Sequence, residues 1–285
     1  MSETAHSGTA QGDATQGGTV PSEAALYVYA IVPSGDFSPT VAGIDGLPLG
    51  VVQAASGVSA VVHLHRTGPF EGTDDEVRAR LIQHGDVVEE CWRGAASVLP
   101  VSFNVIVAPS ADGSRSAEDQ LIAWLDDAAA DVADELRRLA ATSELRVGID
   151  IDPVAYGQGL DEIQELEAQL QSQSPGVRRL MSRRLEGRRK ELAAAAADQL
   201  YADCRARIAM RCLDVDERAT ADRGTDGVPV LSMSCLVHSD QTALLGQELA
   251  EIRDEAPWAV IRFLGPWPPY SFVTNSTLSS STPSN

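Results

Sequence analysis

Two histidines, His63 and His65, alternate along a stretch that reads as a strand, so they share one face and could serve as two metal ligands. Nothing nearby supplies a third ligand, and the pair reads as ordinary strand histidines. His84 stands near Asp86 and Cys91, which suggests cysteine–histidine chemistry. On a helix, however, the seven residues from His84 to Cys91 correspond to about 10 Å of rise, too far to share a proton easily. Asp150 and Asp152 lie two apart, beside Asp161 and Glu162, a grouping suited to a cation. In a chain with 41 acidic residues it reads as a solvated acidic patch. Gly157-Gln158-Gly159 lacks the third glycine and the strand–turn–helix setting of a dinucleotide site. P-loop, nucleophile-elbow and HExxH signatures are absent. No catalytic, cofactor or metal site is expected, and the chain does not read as an enzyme.

The four cysteines (Cys91, Cys204, Cys212 and Cys235) show no CxxC spacing. Cys204 and Cys212 fall on one expected helix, about 12 Å apart along its axis, too far for a disulfide. Free, buried thiols are expected.

Two other groups could bind a partner. Arg178, Arg179, Arg183, Arg184, Arg188, Arg189 and Lys190 form a cationic island in an acidic chain. It reads as one solvated helix face paired with Glu186 and Glu191, or as a dock for an acidic partner through residues such as Arg183, Arg184 and Arg188. The second group is Trp267, Tyr270 and Phe272, set in the segment Gly265-Pro266-Trp267-Pro268-Pro269-Tyr270-Ser271-Phe272. These aromatics could lock the last strand over the core, or form a binding surface on a stiff, proline-rich support. Both roles can hold together.

The elements that must position these groups follow from composition and pattern. The 285 residues suffice for two small domains, and 44% hydrophobic content is that of a globular protein. A net charge of −19 excludes nucleic acid and anionic membrane as partners through bulk charge. Lys190 is the only lysine. Acidic excess with arginine for lysine is the pattern of a cytoplasm of very high salt, and a GC-rich genome explains the arginine alone. The start of the chain has no signal-peptide character. No run is long and apolar enough to span a membrane, so a cytoplasmic protein is expected.

Residues 1–24 and 274–285 read as disordered tails. In a first domain, 25–142, strands are expected from Leu26 to Val32, Leu47 to Gln53, Val58 to Leu64 (with Gly57 in the turn) and Val98 to Val107. Helices are expected over Asp74 to Ala95, capped at Thr73, and over Ala117 to Ala140, all on one face of the sheet. In a second domain, 143–273, the order is a strand at Leu145–Ile151, a helical hairpin over 160–213, a strand at Val228–Val237, a helix at Gln241–Glu255 and a strand at Trp258–Phe263. The hairpin breaks near Ser174-Pro175-Gly176, projects from the domain, and has Leu180, Leu185, Leu192 and Leu200 as its apolar stripe. Asp214 to Gly227 reads as an exposed loop. The fold class is α+β: two tandem ferredoxin-like α/β sandwich domains, the second with an inserted, coiled-coil-like helical pair.

Four stretches carry a resemblance. They are Leu26–Val32 with Gly43-Ile44-Asp45-Gly46, Val98-Leu99-Pro100-Val101-Ser102-Phe103, Glu144–Ile149, and Leu264 to Phe272. Over roughly residues 26–273 the chain resembles the gas vesicle protein F/L family, in its haloarchaeal L form. It departs at Ser102-Phe103-Asn104, where the family commonly has Arg-Phe-Gly. The resemblance implies no catalysis. It implies an accessory protein of gas vesicle assembly that binds the hydrophobic shell protein, other accessory gas vesicle proteins, or both, as chaperone or scaffold. A minor structural component of the vesicle wall is the alternative.

Overall fold

β1 (Ala25–Pro33) is buried along almost its whole length, as an apolar run without alternation requires. In the computed structural model, which describes residues 24–35, 37–66, 68–217 and 227–274, it is the central strand of the first sheet. β2 (Gly50–Gln53) and β3 (Val58–His65) form the expected hairpin, with Gly57 at φ +87° in the turn. β3 pairs antiparallel with β1 on one side. On the other side lie two short strands, β4 (Leu99–Pro100) and β5 (Ile106–Val107).

The single strand expected over Val98–Val107 is thus broken, because residues 102–104 arch away between the β1 hydrogen bonds of Val101 and Val105. Asn104 sits at φ +69°, where glycine or asparagine is favoured. That conformation accounts for an asparagine replacing the glycine of the Arg-Phe-Gly pattern. Its side-chain amide closes the arch by donating to the Phe70 carbonyl at 3.1 Å and accepting from the Phe70 N–H at 2.9 Å.

α1 (Asp74–Gly94) starts at the expected cap. The Thr73 hydroxyl and the Glu76 carboxylate satisfy each other's backbone N–H groups. The helix expected over Ala117–Ala140 is two, α2 (Ala117–Asp127) and α3 (Ala129–Arg138), bent at Ala128. The helices also lie on both faces of the sheet, not one. Val87, Val88 and Cys91 of α1 cover Tyr27, Tyr29 and Val61, while Leu121, Leu125, Val132 and Leu136 cover Val28, Ile31 and Val62 on the other face.

The second sheet is β7-β8-β6-β9, fully antiparallel. It is built from β6 (Thr142–Ile151), β7 (Asp214–Glu217), β8 (Val228–His238) and β9 (Ala259–Trp267). With its helices this is the ferredoxin-like βαββαβ order with the first crossover enlarged. β7 occupies the start of the stretch expected as a loop over Asp214–Gly227; residues 218–226 lie outside the described residues, as do the expected tails up to residue 23 and from 275.

The enlarged crossover holds α4 (Pro153–Gly157), α5 (Asp161–Gln171) and α6 (Pro175–Ala209). Pro175 opens α6 at a position where its missing N–H costs nothing. Only the N-terminal part of α6, with α5, extends beyond the sheet. Its later turns place Ala193, Ala196, Ala197, Cys204 and Ile208 on β6 and β8. The expected stripe is corrected there: Leu185 is buried and Leu200 packs on the core, but Leu180 is 71% exposed. α7 (Thr242–Glu255) completes the helical layer through Leu245, Leu249 and Ile252.

Beneath α1 the first sheet buries a polar network. The Tyr29 hydroxyl accepts from the Ile44 N–H and is hydrogen-bonded to His63 Nδ1, both at 2.7 Å. His84 Nε2–H donates to the Val101 carbonyl at 3.0 Å, so its Nδ1 accepts from the Tyr27 hydroxyl, also at 3.0 Å. Burial lowers the pKa of both imidazoles to about 4 from 6.5. His65 reinforces this at His63, opposed by Asp45; the bond to Val101 opposes it at His84.

As pH falls below 6.5, the unfolded chain takes up protons that the folded chain excludes. Their contribution is therefore complete above pH 6.5 and is lost as pH falls towards 4. Urea unfolding at constant high salt is expected to show stability dropping between pH 6.5 and 5. Each histidine contributes up to about 1.4 kcal/mol per pH unit. His84→Gln, which keeps a donor and an acceptor, flattens the slope. A wild-type midpoint constant over that interval contradicts the network.

Candidate interaction surfaces and the C-terminal clamp

The residues that invited a chemical reading are occupied by structure. His63 and His65 do share a face, with ring centroids 5.6 Å apart, but both are packed among Tyr27 and Phe70. Among the described residues no group of three or more His, Cys, Asp or Glu side chains is arranged to hold a metal ion. His84 faces Tyr27 rather than Cys91, and burial pushes the Cys91 thiol up to about 12, with Glu90 adding to it. That thiol is not a nucleophile at neutral pH. Asp150 pairs with Arg262, Asp152 caps α4 by accepting from the Val154 and Ala155 N–H groups, and Glu162 is held by Arg188. All four cysteines are free thiols.

The aromatic segment at the C-terminus separates into two functions. β9 enters it through Gly265, whose φ is +116° and where a Cβ would stand 2.8 Å from the Glu144 carbonyl oxygen. Only glycine fits that approach. The Gly265–Pro266 peptide bond is cis. The chain then crosses from the second sheet to the first.

Ser271 is fastened to the Glu144 carboxylate of β6, a side chain only 2% exposed. Glu144 accepts from the Ser271 N–H at 2.8 Å, from the Ser271 hydroxyl at 2.7 Å and from the Ser234 hydroxyl at 3.0 Å. Phe272, 6% exposed, inserts into the core formed by α2, α3 and the first sheet, beside Leu236 of β8. Beyond it, Glu135 of α3 accepts from the Thr274 N–H and hydroxyl, each at 3.0 Å. Arg138 bonds both Glu135 and the Phe272 carbonyl. The Arg138 guanidinium is the main cause holding the Glu135 carboxyl below its usual range. The segment is therefore a clamp, one glutamate in each half and an aromatic plug between them. A second tie, from Trp92 Nε1–H of α1 to the Thr142 carbonyl at 2.9 Å, joins the halves elsewhere.

Of the three aromatics singled out by sequence, Phe272 is thus internal. Trp267 and Tyr270 each keep 38% of their surface exposed. Trp267 lies under the Arg146 guanidinium, 5.7 Å from its ring centroid. The hydroxyl of Tyr270 is desolvated, which raises its pKa.

The stretch that holds both sheets and the clamp is matched by a known family. The family model of "Gas vesicle synthesis protein GvpL/GvpF" matches residues 25–274. The chain belongs to the GvpL/GvpF family. It is 30% identical over 265 residues to gas vesicle protein L2 of Halobacterium salinarum, covering 87% of this chain and 90% of that protein. It is 25% identical over 248 residues to gas vesicle protein L of Haloferax mediterranei, covering 84% and 74%. Among solved structures it resembles GvpF from Anabaena, with TM-score 0.59 and 19% identity over 88% of this chain and 96% of that one. GvpF from Microcystis aeruginosa gives TM-score 0.55 and 17% identity over 87% and 98%. A role connected with gas vesicles follows from membership of this GvpL/GvpF family, and the salt-adapted composition matches its halophilic relatives.

The arginine island also divides. Arg188 is bonded through two nitrogens to Glu162 of α5, at 2.6 and 2.9 Å, and also reaches Glu191. Arg189 pairs with Glu167. These two clip α5 to α6. Arg183 and Arg184 are exposed. Sequence reasoning missed both Glu144 and Glu135, which carry the clamp; in so acidic a chain nothing local marks two glutamates as buried.

Phe272→Ala is expected to cost about 3 kcal/mol, because it empties an interior site. Glu144→Ala strands the Ser271 and Ser234 donors, for about 1–3 kcal/mol. Urea denaturation at molar salt measures both; a loss below about 0.5 kcal/mol in either variant contradicts the clamp.

Proposed function

We propose that this GvpL/GvpF-family chain is a non-catalytic, cytoplasmic accessory protein of gas vesicle assembly, which holds the hydrophobic shell protein, other accessory gas vesicle proteins, or both. The observation that carries this reading is the free side of β9. β9 ends the second sheet and pairs only with β6 among the described residues. Along it Val260, Phe263, Leu264 and Trp267 are 47%, 38%, 53% and 38% exposed.

An unpaired strand edge bearing apolar side chains is normally an aggregation hazard, and proteins blunt such edges unless they use them. A shell subunit that faces a gas space carries an apolar surface that aggregates in water before assembly. Strand addition to β9 supplies main-chain hydrogen bonds for that subunit, and the exposed side chains supply apolar contact on both faces, Val260 and Leu264 on one and Phe263 on the other. The clamp supports this reading by anchoring the far end of β9, so that its edge is presented on a rigid body. No described helix is long and apolar enough to cross a membrane, which agrees with a carrier that meets its client in water.

The test is co-purification with the shell protein at molar salt, comparing the wild type with Val260→Glu/Leu264→Glu. The expected result is capture by the wild type and about a tenfold reduction in the variant. Equal capture by a folded variant rejects β9 as the surface, and no capture by either rejects shell-protein binding. Retention of the chain on purified vesicles washed with urea would instead favour a wall component.

A further inference from the structure

Most described arginines stand against carboxylates, and Arg66, Arg78 and Arg115 are single exposed exceptions. Arg80 meets Asp45, Arg138 meets Glu135, Arg205 meets Glu217, Arg211 meets Glu248 and Arg262 meets Asp150. The first turns of α6 break that rule. Arg178, Arg179, Arg183 and Arg184 are exposed, and none forms a salt bridge among the described residues. Arg178 donates only to the Gln173 carbonyl, at 3.1 Å. In a chain with 41 acidic residues and a net charge of −19, four adjacent unmatched guanidiniums are an exception that needs a cause.

Helical geometry sorts these residues. Leu185 is buried, and Arg188 and Arg189 pair with Glu162 and Glu167, so this side of α6 meets α5. At 100° per residue, Leu180 and Arg183 fall on the opposite side, with Arg179 on one flank and Arg184 on the other, next to Arg188 at the rim of the α5 groove. Leu180 is 71% exposed there. Gly176 and Gly187 bracket the same side, and a Cβ at either would meet nothing within 4 Å. The face is therefore an exposed leucine ringed by arginines, with bare backbone above and below that lets another helix approach closely. The hairpin already shows the matching mode, since α5 is an acidic helix held on α6 by arginine–carboxylate pairs around Leu185.

We propose that this outward face of α6 docks an acidic, amphipathic helix of another protein, with carboxylates on Arg179, Arg183 and Arg184 and an apolar side chain over Leu180. Charge complementarity selects the occupant: a basic or neutral helix leaves the guanidiniums unpaired. The Debye length at molar salt is about 3 Å, so steering at a distance is lost. Direct two-point arginine–carboxylate contacts and the burial of Leu180 act at contact range and persist. The surface is separate from β9, so the inference stands or falls independently of shell-protein binding.

The test is fluorescence anisotropy with the full chain in molar KCl. The probe is a labelled peptide of about three heptads, Leu at a and d and Glu elsewhere; the control replaces Glu with Lys. The wild type is expected to bind the Glu peptide and not the Lys peptide. Arg179→Gln/Arg183→Gln/Arg184→Gln and, separately, Leu180→Ser are each expected to weaken binding about tenfold with unchanged circular dichroism. Failure of the wild type to bind the Glu peptide overturns the proposal, as does undiminished binding by the triple variant. A wild-type dimer in light scattering that Leu180→Ser makes monomeric also overturns it, since a second copy would then be the occupant.

Discussion

A buried carboxylate must be satisfied where it lies, and Glu144 governs much of this structure for that reason. It sits on β6, at 2% exposure, with Arg146 only at 3.6 Å. Its close partners are the hydroxyl of Ser234 and the N–H and hydroxyl of Ser271. Leaving such a group unpaired costs several kcal/mol. The chain after β9 therefore has to return across β6. Once Ser271 is fixed, Phe272 reaches the other half's core and Thr274 meets Glu135. This electrostatic requirement ties the two sheets together, beside the Trp92–Thr142 bond and the packing of Leu236 on the first core.

The same logic runs through the helical layer. Arg207, 17% exposed at its side chain, bonds Glu248 at 2.7 Å and Glu255 at 2.6 Å, tying α6 to α7. The Glu255 bond, then the Glu248 bond, raise the Arg207 pKa, and the Arg207 bond is the largest cause lowering that of Glu248. In high salt, exposed pairs contribute little, while short contacts in partly buried sites are screened less. A salt-adapted protein can in this way keep an acidic surface for solubility and use arginine, with its planar fork, for its internal ties. The guanidiniums of the early α6 turns stand out against that background.

Much of this was legible in the sequence. β1, the β2–β3 hairpin, the Thr73 cap, the break at Pro175 and three of the four strands of the second half follow from local signals. The lock role of the C-terminal motif was also among its two readings, and Phe272 fulfils it. Misreadings arose where distant partners decide. Residues 102–104 leave the sheet because His84 and Tyr27 need the Val101 carbonyl and the Asn104 N–H as partners. β7 has a strand's pairing without a strand's composition: Asp214–Glu217 take their register from β8, and Tyr201 and Arg205 of α6 hold the Glu217 carboxylate. α1 and α2 occupy opposite faces because β1 is apolar on both, a pattern equally compatible with helices on one side and another layer on the other. Leu180 fitted a helical repeat, but α5 covers a different side of α6.

The clamp is the central claim, and the geometry between the two halves tests it most directly. Spin labels on an exposed α1 position such as Leu81 and an exposed α7 position such as Leu244 report that geometry by pulsed electron resonance. The structure predicts one narrow distance distribution in the wild type at molar salt and a clearly broadened one in Phe272→Ala. An equally narrow, unshifted distribution in the variant would mean that the halves are held by other contacts and that the clamp does not fix them.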